Sequence, residues 1–86
     1  MKSKRSKEFR ELFGRLPDDV QKQAIEAYRI FKENPSHSSL RFKPVNKEKS
    51  WYSVRVNKSY RAVGVWKGDT IIWFFIGTHA DYDHLL

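Results

Sequence analysis

Apolar residues recur at helical spacing up to Phe31 and at every second position from Leu40 onward, and this change of period orders the fold: helices first, strands after. Phe9, Leu12, Phe13 and Leu16 fall at i, i+3, i+4 and i+7, giving one stripe along a first helix expected over about 6–15. Pro17 suits a first helical position, and Asp18 and Asp19 complement the helix dipole there. Val20, Ala24, Ala27, Tyr28 and Phe31 continue a core-facing stripe through a second helix, about 17–34, which Asn34-Pro35 ends. The expected unit is a helical hairpin.

Trp51 to Asn57 then alternates, with Tyr52, Val54 and Val56 on one face and Trp51, Ser53 and Arg55 on the other. Strands are expected over about 40–43, 51–57, 60–67 and 70–77, with turns at Asn57-Lys58-Ser59 and Lys67-Gly68-Asp69. The last of them, Ile71 to Gly77, is continuously apolar, as a strand covered on both faces should be. Thr78 and Asp81 form an [ST]-x-x-[DE] pattern that opens a short C-terminal helical turn, in which His79, Tyr82 and Asp83 share a face. The fold class is α+β: an N-terminal helical hairpin packed on a twisted antiparallel sheet of three to four strands. At 86 residues it is one domain with one modest core.

The net charge of +7 is held in two blocks. Residues 1–16 carry six Lys/Arg against two Glu, and residues 36–61 carry seven against one, while the segments that follow each are slightly acidic. The second block interleaves Arg41, Lys43, Lys47, Lys49 and Lys58 with Phe42, Trp51, Tyr52 and Tyr60, the combination that phosphate binding with base stacking requires. A merely solubilising surface is the competing explanation. Absence of cysteine rules out disulfides and thiolate zinc sites and fits a reducing compartment. The longest apolar run is far short of the roughly 20 residues that cross a bilayer, and no signal-peptide stretch opens the chain, so cytoplasmic location without membrane contact is the expectation.

A three-residue connection at 57–59 places Arg55 and Arg61 on the same face as cross-strand neighbours; a two-residue turn does not. Like charges opposed across a sheet repel, so a retained pair points to anion binding. His79, Asp81, Asp83 and His84 are possible metal ligands, but Asp81 and Asp83 project to different sides of a helical turn and match no ligand spacing. No metal and no cofactor is expected. Serine triads, a P-loop and a dinucleotide fingerprint are absent.

"HSSLRFKPV" (37–45), "WYSVRVNKSYRAVGVW" (51–66) and "FFIGTHADYDHLL" (74–86), after "LPDDVQKQAIEAYRIFKENP" (16–35), resemble the RelE/ParE superfamily of toxins from type II toxin-antitoxin systems. The resemblance spans nearly the whole chain. It implies a toxin that cleaves mRNA, often on the ribosome, and is silenced by a cognate antitoxin. Such cleavage proceeds by attack of the 2′-hydroxyl on the adjacent phosphate and needs a base, cationic donors and an acid, but no metal. Carried over position by position, Arg55 matches a basic strand residue, Arg61 the phosphate-stabilising arginine and His79 the terminal acid or base. Tyr82 matches an aromatic that stacks on a base or helps to position it. Two departures stand out: Tyr52 is inserted between Trp51 and Ser53, and Ser53 replaces a lysine of some relatives, with Lys43, Lys47, Glu48 or Lys49 placed to compensate. The ParE branch shares the fold but acts on DNA gyrase, and a member that only binds its antitoxin is a third alternative.

Overall fold

Ser6, near which the sequence places the start of the first helix, caps it: its hydroxyl accepts from the Phe9 N–H at 3.1 Å. In a computed structural model describing residues 1–86, helix α1 then runs Lys7–Gly14 and α2 runs Asp18–Glu33. Pro17 occupies the cap position of α2, one residue earlier than expected, and Asp18 and Asp19 fill the first turn. Val20, Ala24, Ala27 and Phe31 are the buried stripe of α2, and Phe9, Leu12 and Phe13 of α1 pack against the same core half-buried.

The strands follow. β1 is Lys2–Arg5, β2 Lys43–Asn46, β3 Trp51–Arg55, β4 Tyr60–Lys67 and β5 Thr70–Thr78, and helix α3 spans His79–Leu85. The sheet order is β1-β5-β4-β3-β2. β2 to β5 form the expected antiparallel meander, and β1 adds a fifth strand, parallel to β5, that makes the sheet mixed. The strand expected at about 40–43 begins at Lys43 instead. Ser38–Leu40 forms a 3-10 turn, and Arg41 follows it at φ 47°, a left-handed conformation that ends any extended run there.

The row Val54, Ala62, Ile76 turns one sheet face toward the helices, where Phe31 meets Phe42 at 5.1 Å and Trp73 at 5.2 Å, both edge to face. Between Val63 and Gly64 the register slips: Val63 faces Phe75 and Gly64 faces Trp73, so Phe74 is an extra residue in β5. The bulge turns Phe74 to the second face, where its ring lies 5.1 Å from Trp51. It explains how one apolar run serves both faces. A side chain on Gly64 would press on Trp73 and Ile71, each 2.9 Å from where its Cβ would sit.

Candidate nucleic-acid interface

The site lies on the second face, at the end of the sheet where β3 turns into β4 and β5 runs into α3. Register places Arg55 directly across from Arg61, and Arg61 across from Gly77. The Val56 N–H donates to the Tyr60 carbonyl at 3.1 Å, so the 56/60 pair is hydrogen-bonded and the 55/61 pair is not. Side chains approach most closely at pairs of that second kind. The connection is therefore the three-residue one, and the two guanidinium groups are neighbours.

Arg61 is steadied from behind: one of its Nη donates to the Asn57 carbonyl at 2.6 Å and to the Tyr60 carbonyl at 3.0 Å. Burial disfavours its charge first, and the charges of Arg55 and Arg41 do so further, with Tyr82 acting in the opposite direction. None of Arg41, Arg55 and Arg61 has a carboxylate partner; the ion pairs of this protein lie elsewhere, at Lys2–Asp69, Glu26–Arg29–Glu33 and His79–Asp83. Arg55 and Arg61, opposed across the strands without a counter-ion, form a place that an anion would stabilise.

Helix α3 brings the proton-handling groups to this row. The Thr78 hydroxyl accepts from the Asp81 N–H at 3.1 Å, which starts the helix, and the His79 N–H donates to the Ser59 carbonyl at 2.8 Å, which ties it to the β3–β4 turn. Gly77 lets the first turn lie close, since a Cβ there would stand 3.3 Å from the Asp81 carboxylate and 3.0 Å from the Phe75 ring. The His79 side chain is 52% exposed, with Nδ1 3.2 Å from Asp83 Oδ2. That contact engages Nδ1 and leaves Nε2 free to accept or deliver a proton.

Tyr82 is only 7% exposed and meets the His79 ring edge to face at 5.7 Å. At that exposure the ring offers little surface on which a base could stack, and it packs against His79. The resemblance implied that Tyr82 stacks on a base or helps to position it, while helical spacing showed that it shares a face with His79 but not how deeply it is buried.

The other basic candidates follow the same strand. Lys43 is paired with Ser53 and so projects from the second face beside it, where the sequence lacks the strand lysine. Ser53 itself is buried at 2% exposure. Lys49 lies over the Trp51 ring at 4.7 Å, a cation–π contact that holds the half-buried indole at the opposite end of β3. Lys47 is exposed in the β2–β3 turn and Lys58 in the β3–β4 turn. From Trp51 to Arg55 the strand advances roughly 13 Å at about 3.3 Å per residue. His37 and His84 are exposed, and no group of three or more His, Asp or Glu side chains comes together in metal-binding geometry.

Comparison with known structures places this fold in a class. The chain superposes on the RelB–RelE antitoxin–toxin complex from Methanococcus jannaschii with a TM-score of 0.76 at 20% identity, covering 96% of this chain and 99% of that one. It matches the archaeal RelE–RelB complex from Pyrococcus horikoshii with a TM-score of 0.69 at 17% identity, over 90% and 92% of the two chains. YafQ from E. coli matches with a TM-score of 0.71 at 14% identity, over 93% and 94%. The fold is thus the RelE-like α+β fold. A search of curated proteins by sequence finds no match. The sequence model of the ParE-like toxin domain matches residues 18–84, and the chain belongs to that family, within the RelE/ParE superfamily.

Proposed function

We propose that this protein is the toxin of a toxin–antitoxin pair and an endoribonuclease that cuts mRNA by metal-independent attack of the 2′-hydroxyl. The observation that carries this reading is the Arg55–Arg61 pair without a carboxylate partner, at the end of the sheet where β5 runs into α3 and His79 has a free Nε2. His79 takes the 2′-hydroxyl proton or supplies one to the leaving 5′-oxygen. Arg61, held by the turn carbonyls, and Arg55 donate to the phosphorane oxygens as negative charge builds on them. Lys43 supplies the cation that Ser53 does not, and Trp51 with Lys49 grips the strand of RNA at the far end of β3.

The partner is a cognate antitoxin, since the M. jannaschii and P. horikoshii structures are antitoxin–toxin complexes. An apolar cleft between the helical hairpin and the sheet, walled by Phe9, Phe13, Tyr28 and Val56 with Ile25 60% exposed at its rim, suits an antitoxin segment that folds as it binds.

The decisive experiment is incubation of the purified protein with mRNA, alone and with translating ribosomes, followed by mapping of the new ends. Cuts that disappear in Arg61→Ala are expected. Intact RNA in the presence of active ribosomes overturns the proposal. The ParE-like family match favours a second reading, inhibition of DNA gyrase by binding. In that case supercoiling is inhibited and RNA survives.

A further inference from the structure

Arg55 faces two ways. Besides completing the arginine row, it lines a separate cleft of about 180 Å³ between α2 and the 3-10 turn, with Gln23 and Glu26 on one wall, Ser39 on the other, and Ile30 and Leu40 among its apolar lining. Ligand sites for larger molecules run to about 300–1,000 Å³, so this one suits a single flat ring system.

The polar groups of the cleft are set by one residue. Asn57 Oδ1 accepts from the Ser59 N–H at 2.7 Å and the Tyr60 N–H at 2.9 Å, while the Asn57 carbonyl takes the hydrogen bond from Arg61. Its amide Nδ2 donates to Gln23 Oε1 at 2.5 Å. The carbonyl of the Gln23 amide is thereby turned toward Asn57, and its NH₂ is left to donate. Glu26 is held by Arg29 through two hydrogen bonds, which balances its charge. What remains to a ligand is an apolar floor with the Gln23 NH₂ group as donor and Arg55 in the lining next to the arginine row.

The geometry points to this cleft as a nucleobase subsite adjoining the arginine pair, selective for a base that offers carbonyl acceptors. An unstacked guanine or uracil enters it, and the attached phosphate rests on Arg55 and Arg61. Adenine, which has no carbonyl, is the poor ligand. Asn57 ties the two subsites together, because the residue that orients Gln23 also holds Arg61. This assignment rests on the ribonuclease reading, but its test does not require cleavage.

The test is an NMR titration of the full chain with inorganic phosphate and with guanosine, uridine and adenosine 3′-monophosphates, following the Gln23 side-chain amide and the Nε–H signals of Arg55 and Arg61. Phosphate is expected to move the arginine signals alone. The guanosine and uridine nucleotides should also move the Gln23 amide and bind roughly tenfold more tightly than the adenosine nucleotide. Gln23→Ala, at an exposed position where alanine favours the helix, should abolish that preference and keep the response to phosphate. A silent Gln23 amide with every nucleotide, or equal affinity for all three, overturns the assignment. Base-dependent shifts from a protein that leaves RNA intact would uphold the subsite and sink the ribonuclease.

Discussion

Arg55 and Arg61 stand directly opposite one another on β3 and β4, and neither is neutralised by a carboxylate. Opposed like charges weaken a sheet by roughly 0.2–1 kcal/mol. Stability and function therefore pull in opposite directions at this pair.

Arg55→Gln should raise the melting temperature by about 1–6 °C as the repulsion is relieved. The same variant should bind single-stranded RNA more weakly and lower the salt dependence of log K by about 0.7, the expectation for one lost phosphate contact. Thermal melts and binding isotherms at several salt concentrations check both halves. An unchanged salt slope would show that Arg55 does not meet phosphate.

His79→Ala should lower the cleavage rate by about 10²–10⁴, the usual contribution of a general acid or base. The fold should persist, because the ring is half exposed and Thr78 caps the helix independently. Single-turnover cleavage and circular dichroism measure the two effects. Full toxicity of this variant, with RNA left intact, supports the gyrase alternative.

Gly64→Ala should destabilise the domain by roughly 1–3 kcal/mol, the cost of overpacking a tight core, because the new Cβ meets Ile71 and Trp73. A fall in melting temperature of about 5–20 °C is expected. A neutral result would mean that the bulged strand yields to the added methyl group.

Acid should weaken α2 through Glu26. Its hydrogen bonds from Arg29 hold the carboxyl below its ordinary range. The folded value is depressed, so the stabilisation is complete above the unfolded value of about 4.3 and is lost as pH falls through the lower folded value. Glu26→Gln should flatten the stability profile in that window, as urea midpoints at pH 6, 4 and 3 would show. Equal slopes for the two proteins would contradict the assignment.

Much of the fold was legible because its signals are local. The stripe on α2, the Thr78 cap and the alternation of β3 each depend on residues within one or two turns of each other. Arg41 was legible as a cation, but its unfavourable effect on the Arg61 charge was not, since that depends on how the distant segments fold together. Lys43 was one of four residues that could compensate for Ser53, and only the register of β2, which begins three residues later than expected, singles it out. Gln23 gave no sign at all, for an exposed glutamine on a helix acquires direction only from the Asn57 amide, 34 positions away.

By itself the sequence determined the order of elements from α1 onward, the helix boundaries, the basic block and the likeness to the RelE/ParE toxins, all of which are written in periodicity, caps and composition. Only the tertiary structure decided that Lys2–Arg5 is a strand. That segment has no apolar pattern, and its pairing rests on distant partners: the Asp69 and Trp73 carbonyls, the Trp73 indole that donates to Ser3 Oγ at 2.9 Å, and the Tyr28 ring beneath Arg5. The bulge at Phe74 and the burial of Tyr82 were decided the same way. Both depend on which surfaces meet when the sheet closes on its helices, and a one-residue slip in register turns a side chain from one face to the other.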